Sequence, residues 1–265
     1  MQEPPRYWES ASSPTPAVQV WGWSDTSPDD ARSVAAQRLS RMRELILSGK
    51  RPAERYYDRA PLREPVLHRL VVEGELVGLV TRNRYGAHVL ATERVVVADV
   101  DLSPQHRGLF RKTKEPDPGP AIERIRRFAN TNPGWGVRTY RTAAGLRVLI
   151  TGSGLTPSSP ATTSVLTSLQ TDPVYLRLCG AYDCFRARLT PKPWRLTRSF
   201  PRYPGWPARD ERALAAWIDR YERERQEFAG CHLLAVQGPP PDAVSGAVLE
   251  LHDLATRADS QAPLA

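Results

Sequence analysis

The sequence predicts an α+β protein with an antiparallel sheet, and three observations predict it. Period-2 apolar runs fill residues 66–101, and residues 95–189 then place strands and helices in the order β-α-β-β-α-β. The last third turns to long helical stripes. The chain has 265 residues, 40% of them hydrophobic, enough for a substantial core.

Residues 1–26 read as an irregular, Pro-rich arm that Trp8, Trp21 and Trp23 dock onto the body. Ser27-Pro28-Asp29-Asp30 is a helix start: a capping hydroxyl, Pro in the first turn, then two acids against the helix dipole. Val34, Ala35, Leu39, Met42, Leu45 and Ile46 follow at helical spacing, and Gly49 ends the helix. Short strands are expected at 66–72, 76–81 and 87–91, joined by Glu73-Gly74-Glu75 and Arg84-Tyr85-Gly86. They lead into the strand Val95-Val96-Val97-Ala98-Asp99-Val100-Asp101. The polar span 103–119 reads as a long mobile loop that carries His106.

A helix over 121–129, a hairpin of 137–142 and 146–151 around Ala143-Ala144-Gly145, and a helix from Ser159-Pro160 follow. Asp172 to Leu178 reads as extended and Cys184 to Leu189 as a strand. This order is that of a split βαβ, the ferredoxin-like (RRM-like) arrangement, with both helices on one face and the other face free for a site. A Pro-rich linker spans 191–207, followed by a helix over 209–229, a short apolar strand or helix over 233–236, and a closing helix near 243–258. Three units result: the arm 1–26, an α+β domain 27–202 with its core at about 90–200, and a C-terminal helical segment 203–265 packed on that core.

Composition excludes several function classes. No apolar run approaches the roughly 20 residues of a membrane span. The polar start Met1-Gln2-Glu3-Pro4-Pro5 does not read as a signal peptide, so the expected location is the cytoplasm. Cys179, Cys184 and Cys231 imply neither a disulfide framework nor a zinc site. No P-loop lysine and no nucleophile context occur, and His252-Asp253 sit on a helix where sequence neighbours do not share a face. The net charge of +8 favours an anionic partner. Only four of the basic residues are Lys, and clustering says more than the total. Between Pro173 and Arg202 lie Arg177, Arg186, Arg188, Lys192, Arg195, Arg198 and Arg202 against the single acid Asp183.

Asp99 and Asp101 are one residue apart on a strand, so their carboxylates share a face while Val96, Ala98 and Val100 point into a core. Adjacent like charges repel unless a cation bridges them, and a hard divalent ion suits an oxygen pair. Thr139 and Arg141 (or Tyr140 and Thr142), Arg147, Arg186 and Arg188 are the expected neighbours on that face. Two readings follow. One is a ladder of Asp–Arg ion pairs that needs no function. The other is a nucleotidyl-transfer site, with carboxylates on Mg²⁺ or Mn²⁺ and arginines on phosphates.

The hydrophobic strand ending in D-x-D, the hairpin with its Gly turn and the later basic strand together resemble the catalytic core of the archaeo-eukaryotic primase superfamily. The likeness covers about residues 90–200 and rests on pattern alone. It implies that Asp99 and Asp101 bind metal, that Asp172 is a third acid, and that nucleoside triphosphates and nucleic acid are the partners. Tyr140-Arg141-Thr142-Ala143-Ala144-Gly145-Leu146-Arg147 resembles the nucleotide-contacting hairpin, and Arg141, Thr142 and Arg147 would contact phosphates. Phe185-Arg186-Ala187-Arg188-Leu189-Thr190-Pro191-Lys192-Pro193-Trp194-Arg195 resembles the late basic segment, with Arg186, Arg188, Lys192 and Arg195 on the phosphate path. The chain departs from the family at Arg147, which occupies the place of a histidine; Arg binds phosphate but cannot replace a neutral imidazole. A non-catalytic nucleic-acid-binding protein on the same fold is the alternative, and a structural protein with internally paired Asp and Arg a third.

Overall fold

A computed structural model gives the structure and describes residues 2–49, 60–102 and 117–265. Most of the loop expected at 103–119, with His106, lies outside the described residues. The chain begins with a hairpin of β1 (Tyr7–Pro14) and β2 (Ala17–Ser24), on which α1 (Pro28–Leu47) packs. The expected irregular arm is therefore ordered as strands. Gly22 makes the packing possible, because a Cβ there would fall 2.2 Å from the Ala31 carbonyl oxygen and the Ala35 amide nitrogen of α1. Trp8 is buried against Trp23 within the hairpin, with ring centroids 5.5 Å apart, while Arg38 of α1 lies 4.4 Å over the Trp23 ring and Arg63 lies 3.8 Å over the Trp21 ring. Ser27 caps α1 by accepting from the Asp30 amide.

Next come β3 (Val66–Val72), β4 (Glu75–Arg82), β5 (His88–Thr92) and β6 (Val96–Asp101), close to their expected limits. Then follow α2 (Gly119–Thr131), β7 (Gly136–Thr142), β8 (Gly145–Thr151) and α3 (Pro160–Ser168). The segment expected to be extended after Asp172 is instead α4 (Pro173–Tyr182). Asp172 caps it by accepting from the Val174 amide, and Pro173 fits the first turn; this start signal outweighs the β-branched and aromatic content behind it. The remainder is β9 (Phe185–Arg188), the single turn α5 (Pro193–Leu196), α6 (Glu211–Glu224), β10 (Cys231–Gln237) and α7 (Ala243–Thr256). No helix among the described residues is long and apolar enough to cross a membrane.

Two four-stranded antiparallel sheets share one core, in the orders β10-β7-β8-β6 and β3-β4-β5-β9. The split βαβ part is present, since β8 lies between β6 and β7 and pairs antiparallel with both. The expected closing strand is not in that sheet. β9 pairs with β5 in the other sheet, and β10 takes the fourth place at the β7 edge. Asp183 turns the chain in the left-handed region (φ 46°) between α4 and β9. The four residues of β9 then satisfy their ladder against His88–Thr92 rather than beside β6.

The face expected to be free is not free. Every residue of β8 is buried. On β6, Val96, Ala98 and Val100 fill the core face as expected, but Val97 on the Asp99 face is buried as well, worth about 1–3 kcal/mol of transfer free energy, and exposure begins only at the two aspartates. The cover over the Asp99 row includes α7, whose His252 meets the Tyr140 ring edge-on at 4.9 Å between centroids.

Candidate functional site

Strand register places Asp99 of β6 opposite Arg147 of β8, and Arg147 opposite Tyr140 of β7. These three side chains form one row across the sheet. The Arg147 guanidinium is fully buried and grips Asp99 with two hydrogen bonds, Nε to Oδ1 at 2.8 Å and Nη2 to Oδ2 at 3.3 Å. Its Nη1 donates to the Arg188 carbonyl at 2.7 Å and faces His252 Nε2 at 3.4 Å. Burial opposes the charge of Arg147, but the Asp99 carboxylate outweighs it and holds the guanidinium above its ordinary range.

The chain of contacts continues outward. His252 Nδ1 lies 2.8 Å from Asp253 Oδ1, and Arg138 Nη1 donates to Asp253 Oδ2 at 2.6 Å. Burial pushes His252 below the ordinary imidazole range, so it is neutral, with Nδ1–H donating to Asp253 and Nε2 accepting from Arg147. Asp99, Arg147, His252, Asp253 and Arg138 thus form a charge-balanced network of two acids, two arginines and a neutral imidazole. Sequence reasoning set His252-Asp253 aside because helix neighbours diverge, yet the two side chains bend to meet. The signal that could have found His252 is the buried stripe Val248, His252 and Thr256 of α7.

Asp101 ends β6, exposed, on the same face. Its acidity is weakened by burial first, then by Asp99 and Asp172, while Lys192 and Arg188 act in the opposite direction. Asp172 is near because its amide donates to the Asp99 carbonyl at 3.2 Å, although its carboxylate also caps α4. Gly145 allows β6 to pair closely with β8 here; a Cβ on it would sit 2.1 Å from the Val100 carbonyl oxygen.

Arg188 leaves β9 towards the acids. Among the described residues no hydrogen bond or ion pair engages its guanidinium, and burial, then Arg147, pulls it down to about 10. Lys192 is lowered by burial and by Arg188 and Arg195. Arg195 has a buried Nη1 with no partner. Three cations therefore crowd together without a bonded carboxylate, beside Asp101.

Of the ten residues expected at the site, seven come together: Asp99, Asp101, Asp172, Arg147, Arg188, Lys192 and Arg195. Three do not. Arg141 lies on the opposite face and donates to the Gly145 carbonyl at 3.2 Å. Thr142 ends β7, and its Oγ1 is turned to the hairpin, accepting from the Gly145 amide at 3.1 Å. Arg186 serves the other sheet, donating at 2.6 Å to Glu64 Oε2, which also accepts from Thr81 Oγ1.

The donor set can be tested against Mg²⁺ or Mn²⁺. Such an ion needs several oxygens in near-octahedral order, and both Asp99 oxygens are committed to a buried guanidinium. Among the described residues no group of three His, Cys, Asp or Glu is placed to hold a metal. The Asp99–Asp101 pair as it stands does not fit the ion that the primase resemblance implies. What the arrangement offers without rearrangement is a cluster of unpaired cations suited to phosphate. No family model, curated protein or solved structure matches the chain.

Proposed function

We propose that this chain is a nucleic-acid-binding protein on a primase-like α+β core, in which Arg188, Lys192 and Arg195 hold backbone phosphates. The observation that carries the reading is the contrast in pairing: Arg147 is consumed by Asp99, whereas the half-buried Arg188 has no bonded partner for its guanidinium among the described residues. An uncompensated buried cation is costly, so a site that keeps one gains most from an anion that is absent from the free protein. Arg147, at the position of the family histidine, turns one metal-ligand position into half of an ion pair.

The test is fluorescence anisotropy of a labelled oligonucleotide titrated across salt, with and without EDTA, for wild type and for Lys192→Ala with Arg195→Ala. Binding is expected to be salt-steep and indifferent to EDTA. The double variant flattens the slope of log K against log salt by about 1.4, at about 0.7 per lost phosphate contact on a single strand. Absence of binding, or an unchanged slope, overturns the proposal.

A second reading, nucleotidyl transfer with Mg²⁺ or Mn²⁺, is favoured by one observation: Asp101 is a weaker acid than usual partly because Asp99 and Asp172 face it. On this reading Asp101 and Asp172 would be the acids that recruit the ion. Primer extension with Mn²⁺ that is lost in Asp101→Ala would establish it over the first.

A further inference from the structure

A cavity of about 850 Å³ lies beside α5, and of its lining only Pro193 and Trp194 belong to the basic segment singled out in the sequence. Five aromatic residues line it, Tyr85, Trp194, Phe200, Tyr203 and Trp206, together with four arginines and no carboxylate among the described residues. Trp194 and Tyr85 are exposed at 48% and 39% and meet edge to face with centroids 5.3 Å apart, so both present ring surface to solvent. The Tyr203 hydroxyl is buried without a hydrogen-bond partner among the described residues. Lys192 Nζ stands 5.5 Å from the centre of the Trp194 ring, and so joins this groove to the cation cluster beside Asp101.

We infer that the groove is the path of single-stranded nucleic acid, with unstacked bases on Trp194 and Tyr85 and phosphates along Lys192, Arg84 and Arg202. This deepens the nucleic-acid reading above and rests on it. The chemistry selects the occupant. Arg82 is already paired with Glu222, but Arg63, Arg84 and Arg202 bond no carboxylate among the described residues and favour a polyanion, and exposed ring surfaces reward flat π-systems that stack. In a duplex those base faces are already buried against one another, so only a single strand can use the rings. An acidic peptide would satisfy the arginines and leave the aromatic faces unused.

The experiment compares the full chain with Trp194→Ala, Trp194→Phe and Tyr85→Ala, all at exposed positions. Each is titrated into a labelled oligothymidine of about 12 nucleotides, a site size one such groove can span, and into a matched duplex. Poly-glutamate serves as competitor. The single strand is expected to bind more tightly than the duplex at equal salt. Trp194→Ala weakens it by about 5- to 150-fold per lost stack, with the salt slope unchanged, and Trp194→Phe restores most of the affinity. Equal affinity for duplex, competition by poly-glutamate, or indifference to both alanine variants overturns the groove. If binding remains salt-steep and sensitive to Lys192 and Arg195 but ignores Trp194 and Tyr85, the groove alone falls. If wild type binds no nucleic acid at all, the underlying reading falls with it.

Discussion

Two clusters of charge a few residues apart in the fold have opposite economies. In the row through Asp99, Arg147, His252, Asp253 and Arg138, each acid meets a base within hydrogen-bond distance. Around Arg188, Lys192 and Arg195 the cations face one another, and Asp101 acts on them only through space. Both draw on arginine and aspartate. Pairing separates a charge that holds the fold from one held ready for a ligand, and composition cannot reveal pairing.

The largest effect that could break this contrast is on stability. Asp99→Ala would leave Arg147 buried with only a carbonyl and an imidazole for partners, and is expected to cost about 3–5 kcal/mol in denaturant unfolding. A carboxylate that merely repelled its neighbours while awaiting a cation would, on removal, leave stability unchanged or raise it. That result would return Asp99 to the metal-ligand role.

A smaller effect sharpens the description of the paired region. His252 in that row, and His88 in a second paired cluster where Glu222 meets both it (2.9 Å) and Arg82 (2.8 Å), are depressed first by burial, so each is neutral when folded and takes up a proton near 6.5 when unfolded. Their stabilisation is complete above that pH and is lost as pH falls towards the depressed folded values. The expected slope just below pH 6.5 is up to about 1.4 kcal/mol per pH unit for each histidine. His252→Gln should remove one of the two contributions. Stability that is flat from pH 7 to 5 would mean that neither imidazole is kept neutral.

The smallest effect concerns the unpaired region. Arg188→Met removes a charge that partial burial disfavours, and should raise unfolding stability by about 1 kcal/mol while it weakens oligonucleotide binding. Loss of stability together with binding would place Arg188 with the structural charges.

These contrasts also mark what could be read from the sequence. The strands from Val66 to Asp101 and the hairpin 136–151 were legible because their alternation and turns are local. The Asp99–Asp101 pair and its approach to Asp172 and Arg188 were legible as a grouping. An arginine partner for Asp99 was one of the two readings, the ladder of Asp–Arg ion pairs, but which arginine was not legible, because only strand register sets Arg147 opposite Asp99. The destination of β9 was illegible for a similar reason: four residues suit either sheet, and the turn at Asp183 decides. Helix α4 was legible in principle, since Asp172-Pro173 is as good a start as Ser27-Pro28. The aromatic groove is assembled from residues 63–85 and 193–206, which no single window of sequence joins.

The imidazole that covers Arg147 arrives 105 residues later in the chain. During synthesis the guanidinium therefore emerges long before the helix that shields it. Until α7 docks, the central strand β8 carries an arginine on a surface built to be dry, and the half-made sheet is a poor place to collapse. Completion of the two-sheet core is in this way tied to the last helix, so that partial products should stay open instead of setting into a wrong but stable shape.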